Sequence, residues 1–161
     1  MTSKIKYICP LIVVADMARS RNFYENILGQ KVIMDFGENV TFEGNFAIHL
    51  QSHYQKLIDN KRIEFGSHNF ELYFEYDEME ELNQQLKDAH TVFVHEMREQ
   101  PWRQRVVRFY DPDNHIIEIG ESLEYLSYRL FNEGLSAEEI SKTMMMPLEF
   151  VEKSIVNYSK K

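Results

Sequence analysis

One succession of residue patterns occurs twice in this chain, and few folds accommodate it. An apolar run closes at Val14, Asp16 opens a helix carrying Ala18, Phe23, Ile27 and Leu28 on one face, Gly29 stops it, and Val32 begins a strand. From Phe74 through Asp77 and Leu86 to Val92 the order returns at nearly the same spacing. Asp before an apolar-periodic segment is an N-cap, and Gly after it is a C-terminal stop. Each half continues in β-rich pieces, 31–36, 39–42 and 45–51 in the first and 91–97, 106–110 and 115–120 in the second. The opening strands are 7–14 and 69–76, and the second helix, 77–89, carries Met79, Leu82 and Leu86. The pattern predicts an internal repeat of βαβββ, although the halves share little identity. In such a repeat Cys9 and Asn69 hold equivalent places on the first strands, and His49 and Glu118 on the last.

Between the halves, 52–67 is polar and weakly patterned and reads as a connector with one helical turn. After Glu121 the character changes. A helix spans 123–132 and ends at Gly134, Ser136 and Glu139 form a capping box, and Pro147 opens a last helix through Val156. Leu135, Ile140, Met144, Leu148, Phe150, Val151 and Ile155 in this tail need a covering surface, on the main domain or on a second subunit. The expected class is therefore α+β. Two βαβββ modules, at about 5–52 and 67–121, form a curved mixed sheet with a cleft in a domain over 1–121. A short helical extension follows over 122–161.

The chemistry concentrates in 101–121, PWRQRVVRFYDPDNHIIEIGE. Strands flank a turn, Asp111-Pro112-Asp113-Asn114, built of residues that favour turns. On the second strand Ile117 and Ile119 point one way, Ile116 and Glu118 the other. A carboxylate among aliphatics in mid-strand is either solvent-facing or in a cleft with a partner. Arg108 has the parity to neighbour Glu118, and it can pair with a carboxylate or bind an anionic substrate. Glu71, if it faces the same cleft, makes a mixed-charge site able to work without metal. Trp102, on the loop before the hairpin, has two readings, stacking on a ligand or packing an edge.

Composition removes several classes of function. The net charge of −8 and pI near 5.3 oppose nucleic-acid binding. The tail's helix-turn-helix outline does not change this, because 121–161 carries seven acids and five bases and its last helix has no arginine to read guanine. One cysteine, Cys9, gives no disulfide framework and suits a reducing compartment. No apolar run approaches the roughly 20 residues of a membrane span, and the first ten residues lack a signal-peptide core. The expected place is the cytoplasm. No phosphate-cradling glycine loop and no Gly-x-Ser-x-Gly elbow occurs.

The repeated modules, the phrase Val13-Val14-Ala15-Asp16-Met17 leading to Phe23-Tyr24 and Leu28-Gly29, and Phe109-Tyr110-Asp111-Pro112-Asp113-Asn114-His115-Ile116-Ile117-Glu118 resemble the vicinal-oxygen-chelate superfamily. That group includes glyoxalase I, fosfomycin-resistance transferases, extradiol dioxygenases and bleomycin-binding proteins. The resemblance covers about Ile5 to Glu121 and fixes no reaction. It implies an eight-stranded curved sheet with outer helices and an inner cleft, with metal ligands on the first and last strand of each module. Carried over, those places fall at Cys9, His49, Asn69 and Glu118.

His49 and Glu118 suit Zn²⁺, Ni²⁺, Mn²⁺ or Fe²⁺, whereas Asn69 is a poor ligand and Cys9 an unusual one. His68 would complete a His-His-Glu set, but one residue of register turns a side chain to the opposite face. With Phe70, Leu72 and Phe74 packed on the helix, Asn69, Glu71 and Tyr73 face the cleft and His68 does not, short of a strand-end bulge. The resemblance implies a metal-dependent lyase, isomerase or transferase in which Glu118 is ligand or general base, moving a proton of a vicinal-oxygen substrate. The rival is a metal-free protein that binds a drug or metabolite through Arg108, Glu71, Trp102 and Asn69. Homodimers are common in the superfamily and are expected here.

Overall fold

Our computed structural model describes residues 5–160. The chain divides into two compact units, of which the first runs to His68 and includes Asp111–His115, and the second comprises Asn69–Tyr110 and Ile116 onward.

In the first unit β1 (Leu11–Val14) leads through α1 (Met17–Asn22) to β2 (Val32–Asp35), β3 (Asn39–Phe42) and β4 (Phe46–Leu50), in the sheet order β1-β4-β3-β2. β1 and β4 are parallel and the other pairs antiparallel. The opening strand is shorter than the apolar run suggests. Pro10 has no N–H to give a ladder, although its carbonyl accepts from Ala47 N at 3.0 Å, and Ile5, Tyr7 and Ile8 before it are exposed.

Asp16 caps α1 by accepting from Arg19 N at 2.9 Å. The helix does not run unbroken to Leu28. From Phe23 to Ile27 it widens into a π turn, with Leu28 N donating to Phe23 O, and the consecutive rings of Phe23 and Tyr24 are both buried. Tyr24 packs against Phe42 and Phe46, whose own rings stack at 4.7 Å. The polar connector holds more structure than its pattern indicates: α2 (Gln51–Leu57) starts directly after β4 without a side-chain cap.

The turn 111–115 supplies this unit with two buried carboxylates. Asp111 accepts from the backbone N–H groups of Asp113 and His115 on one oxygen, and from the Tyr24 hydroxyl and His115 Nδ1, each at 2.8 Å, on the other. Asp113 accepts from Arg19 Nη2 at 2.6 Å, Ala15 N at 3.1 Å and Ser20 Oγ at 3.4 Å. Burial, with Asp111 adding, holds the Tyr24 phenol protonated far above its ordinary range, so it remains the donor.

In the second unit β5 (Glu71–Glu75), α3 (Met79–Asp88), β6 (Phe93–Glu99), β7 (Arg105–Tyr110) and β8 (Ile116–Gly120) repeat the plan, in the order β5-β8-β7-β6 with β5 and β8 parallel. The duplicated α+β architecture is thus present as two four-stranded mixed sheets. β5 begins at Glu71 and not at Asn69. His68, with φ +56°, and Asn69 precede the strand, so the alternation argued for them from sequence does not reach them. Phe70 is 43% exposed and leaves Leu72 as the buried side chain of β5.

The tail forms α4 (Leu123–Asn132), α5 (Ala137–Met144) and α6 (Leu148–Tyr158) within this second unit. The Ser136–Glu139 capping box is present, and Met145 ends α5 in the left-handed conformation. Leu126, Leu130, Ile140, Met144 and Val151 make a small core of their own, with Trp102 packed against it. Two polar anchors tie the helices to the module. Arg129 forks onto buried Glu121 at 2.9 and 3.0 Å and donates to Arg103 O, and Tyr158 donates to Asp77 at 2.7 Å. No helix among the described residues is long and apolar enough to cross a membrane.

Removing the Tyr24 hydroxyl withdraws one of four donors from a buried carboxylate while keeping the ring's packing. Tyr24→Phe is expected to cost about 1–3 kcal/mol in urea unfolding, with no change in the far-ultraviolet circular dichroism of the folded protein.

Candidate functional site

Register divides the second sheet into an apolar face and a polar one. Leu72, Phe74, Val107, Phe109, Ile117 and Ile119 share one side with the apolar residues of α3, and Val107, Phe109 and Ile117 are fully buried. On the opposite side stand Glu71 and Tyr73 of β5, His95 of β6, Arg108 of β7 and Glu118 of β8. Arg108 lies directly across from Glu118, as their parity requires.

The Arg108 guanidinium gathers this polar side. Its Nη2 is ion-paired with Glu118, its Nε donates to Glu71 Oε2 at 3.1 Å, and its Nη1 meets His95 Nε2 at 3.3 Å. The last contact assigns the imidazole tautomer. His95 Nδ1 lies 2.8 Å from Glu96 O, which can only accept, so Nδ1 carries the proton and Nε2 accepts from arginine. The two acids differ in accessibility: the Glu118 side chain is 8% exposed and the Glu71 side chain 40%. Tyr73, paired with Glu118 in the β5·β8 ladder, leaves about half its surface open. Its phenol donates to Glu75 and accepts from Gln104 Nε2, and burial pushes its pKa up to about 12.

His49 occupies the corresponding place in the first unit, on the side of its sheet opposite Ile48 and beside Asn39. The ring is buried, with the Tyr54 ring centre 5.4 Å away in an edge-type contact and His53 nearly parallel to it. Asn39 Nδ2 points at His49 Nδ1 at 3.1 Å and can only donate, so the His49 proton lies on Nε2, donated to His53 Nδ1 at 2.7 Å. His53 was not legible as a neighbour of His49, because the four-residue spacing joins the end of a strand to a helix that the sequence hides. His95 was equally obscure, since β6 changes register with β7 on both sides of it.

The donors available do not fit the divalent metal that the resemblance implies. A metal on Glu118 must strip a buried carboxylate of its guanidinium, and both nitrogens of His49 are engaged. Asn69 offers a neutral amide, Cys9 precedes β1, and His68 and Asn69 lie ahead of β5. Among the described residues no three His, Cys, Asp or Glu side chains are grouped as a metal site requires. Trp102 donates from Nε1 to Gln104 and packs against the helical tail.

A separate cavity of about 490 Å³ in the second unit is lined by Glu75, Tyr76, Asp77, Glu78, Ser122 and Glu124. Its acids serve two helix starts. Glu78 is the N-cap residue of α3, Glu124 lies in the first turn of α4, and Asp77 accepts from the N-cap Ser122 N at 2.9 Å.

Burial, reinforced by neighbouring His53 and opposed by Glu38, lowers the pKa of His49. The unfolded chain then takes up this proton more readily than the folded one. Stability contributed at this position is complete above the ordinary histidine pKa of about 6.5 and declines as pH falls from there toward the folded value. His49→Gln removes the titration, so its urea midpoint is expected to fall less than that of the wild type between pH 7.5 and pH 5.5.

Comparison with known proteins places this architecture. The model of the glyoxalase-like domain matches residues 7–124. A solved protein of unknown function from Agrobacterium tumefaciens str. C58 is 38% identical, with 74% of this chain and 96% of that one covered and a TM-score of 0.68. A glyoxalase/bleomycin resistance protein/dioxygenase from Nocardioides is 19% identical, covering 74% and 85% with a TM-score of 0.58. A lactoylglutathione lyase from Agrobacterium tumefaciens is 18% identical, covering 73% and 95% with a TM-score of 0.57. The latter two likenesses concern the fold alone. No curated protein matches this chain. With two βαβββ modules in place and a family match over most of its length, the chain belongs to the glyoxalase-like family.

Proposed function

We propose that this protein binds a small polar molecule on the Arg108–Glu118 side of its second sheet, without a metal on Glu118. The observation that carries the reading is the Arg108–Glu118 ion pair, flanked by Glu71 and His95. A guanidinium is a permanent cation with donors in a fixed plane. Here it stands on the carboxylate that a metal would need, and its position is set by the β7·β8 register. It does what a binding centre requires: it presents oriented N–H groups beside acceptors of opposite charge, next to the partly open Tyr73 ring. The lone thiol, Cys9, agrees with a reducing, cytoplasmic location.

Metal analysis and thermal shift test this directly. Purified full-length protein is expected to contain no stoichiometric divalent metal, and its melting temperature should be unmoved by excess Mn²⁺, Ni²⁺ or Zn²⁺. Stoichiometric metal that disappears in His49→Ala would overturn the proposal in favour of a metal-dependent enzyme, such as the lyase activity named for one structural neighbour.

We include a homodimer in the proposal. Ile33, Met34 and Phe36, on and just after edge strand β2, are 54%, 47% and 70% exposed, which leaves apolar groups at an unpaired ladder edge. Light scattering after size exclusion is expected to give twice the chain mass for the wild type. Met34→Lys should lower that mass toward one chain.

A further inference from the structure

The same centre has a feature that bears on which molecules it takes. Arg108 is held by two acids of unequal permanence. Glu118 is buried across the strand pair, whereas Glu71 is exposed and makes one contact to Arg108 Nε at 3.1 Å. The Glu71–Arg108 contact is therefore the one a ligand can open while the Glu118–Arg108 pair stays closed.

Charge decides what can enter. The two acids and the arginine sum to −1, in a chain of net charge −8. A carboxylate arriving alone would put three carboxylates around one guanidinium. An amine arriving alone would neutralise the −1 of the group but set a second cation beside Arg108 on the carboxylate that the two would share. A molecule with an ammonium and a carboxylate on adjacent atoms avoids both penalties: its carboxylate takes Arg108 Nε, its ammonium takes Glu71, and one ion pair is exchanged for two. Tyr73, partly open on the same side, offers a ring against which an apolar side chain can lie. Resting on the proposed binding role of this face, we infer that its ligands are small zwitterions of the α-amino-acid type, admitted by opening the Glu71–Arg108 pair.

The test uses three probes on the full-length protein: phenylalanine, and 3-phenylpropanoate and 2-phenylethylamine as its acid-only and amine-only counterparts. Binding is read from the Nε–H resonance of Arg108 and the backbone amides of β5, β7 and β8. Phenylalanine is expected to shift these signals with an affinity at least tenfold above either counterpart. In Glu71→Gln, whose exposed position leaves folding intact, phenylalanine should weaken at least fivefold and 3-phenylpropanoate should strengthen.

A counterpart that binds these signals as tightly as phenylalanine would overturn the inference and leave the binding role standing. So would a Glu71→Gln variant that keeps its phenylalanine affinity. Phenylalanine shifts confined to residues 39–53 of the first module would overturn both.

Discussion

A carboxylate withdrawn from water must be given partners, and in this protein that requirement falls on one short stretch. Among the described residues the buried acids are Asp111, Asp113, Glu118 and Glu121, all within a single hairpin and its exit. Each is answered differently. Asp111 is surrounded by backbone N–H groups, a phenol and an imidazole, Asp113 by Arg19, Glu118 by Arg108 and Glu121 by Arg129. Loss of one member of a buried pair commonly costs about 3–5 kcal/mol, which is a large part of the roughly 5–15 kcal/mol that holds a domain folded. The partners come from α1, β7 and α4. Within the first unit the turn 111–115 fixes α1, and within the second Glu118 and Glu121 fix β7 and α4.

The four acids differ in what surrounds them. Asp111 and Glu121 are enclosed by donors of the scaffold, and Asp113 is held by Ala15 N, Ser20 Oγ and the half-exposed Arg19. Arg108 carries contacts beyond Glu118, to exposed Glu71 and half-buried His95, much as Arg129 reaches beyond Glu121 to Glu133 and Arg103 O. One side of the Arg108 guanidinium is fixed by the sheet and the other is open to replacement. In the proposed reading the Arg108 group is a preorganised binding centre and not only a filled salt bridge.

Much of this was legible in the chain. Asp16 and Gly29 mark the first module, β-rich runs mark both, and Ser136 with Glu139 marks α5, because such capping and strand signals are local. The parity of Arg108 with Glu118 was readable too, since a tight turn of known length fixes register. Four things were hidden for physical reasons. Pro10 cut short an apolar run that looked buried, and a β5 starting at Glu71 removed His68 and Asn69 from the alternation assumed for them. The partner of Glu121 lay eight residues on, in a helix, where a single arginine looks like any solvated charge. His53 and His95 depended on an unmarked helix and on register shifts, neither of which leaves a trace in composition.

Arg108 and Glu118 face each other across two neighbouring strands, and this has a consequence for descent. A lineage that replaces the arginine alone strands an anion in the sheet, and one that replaces the acid alone takes from Arg108 its buried counter-ion and leaves it on exposed Glu71. Neutral drift at either position is closed unless both change nearly together, so the two codons behave as one inherited character. Relatives should divide sharply into those that keep the pair and those that have exchanged it whole, with few intermediates between.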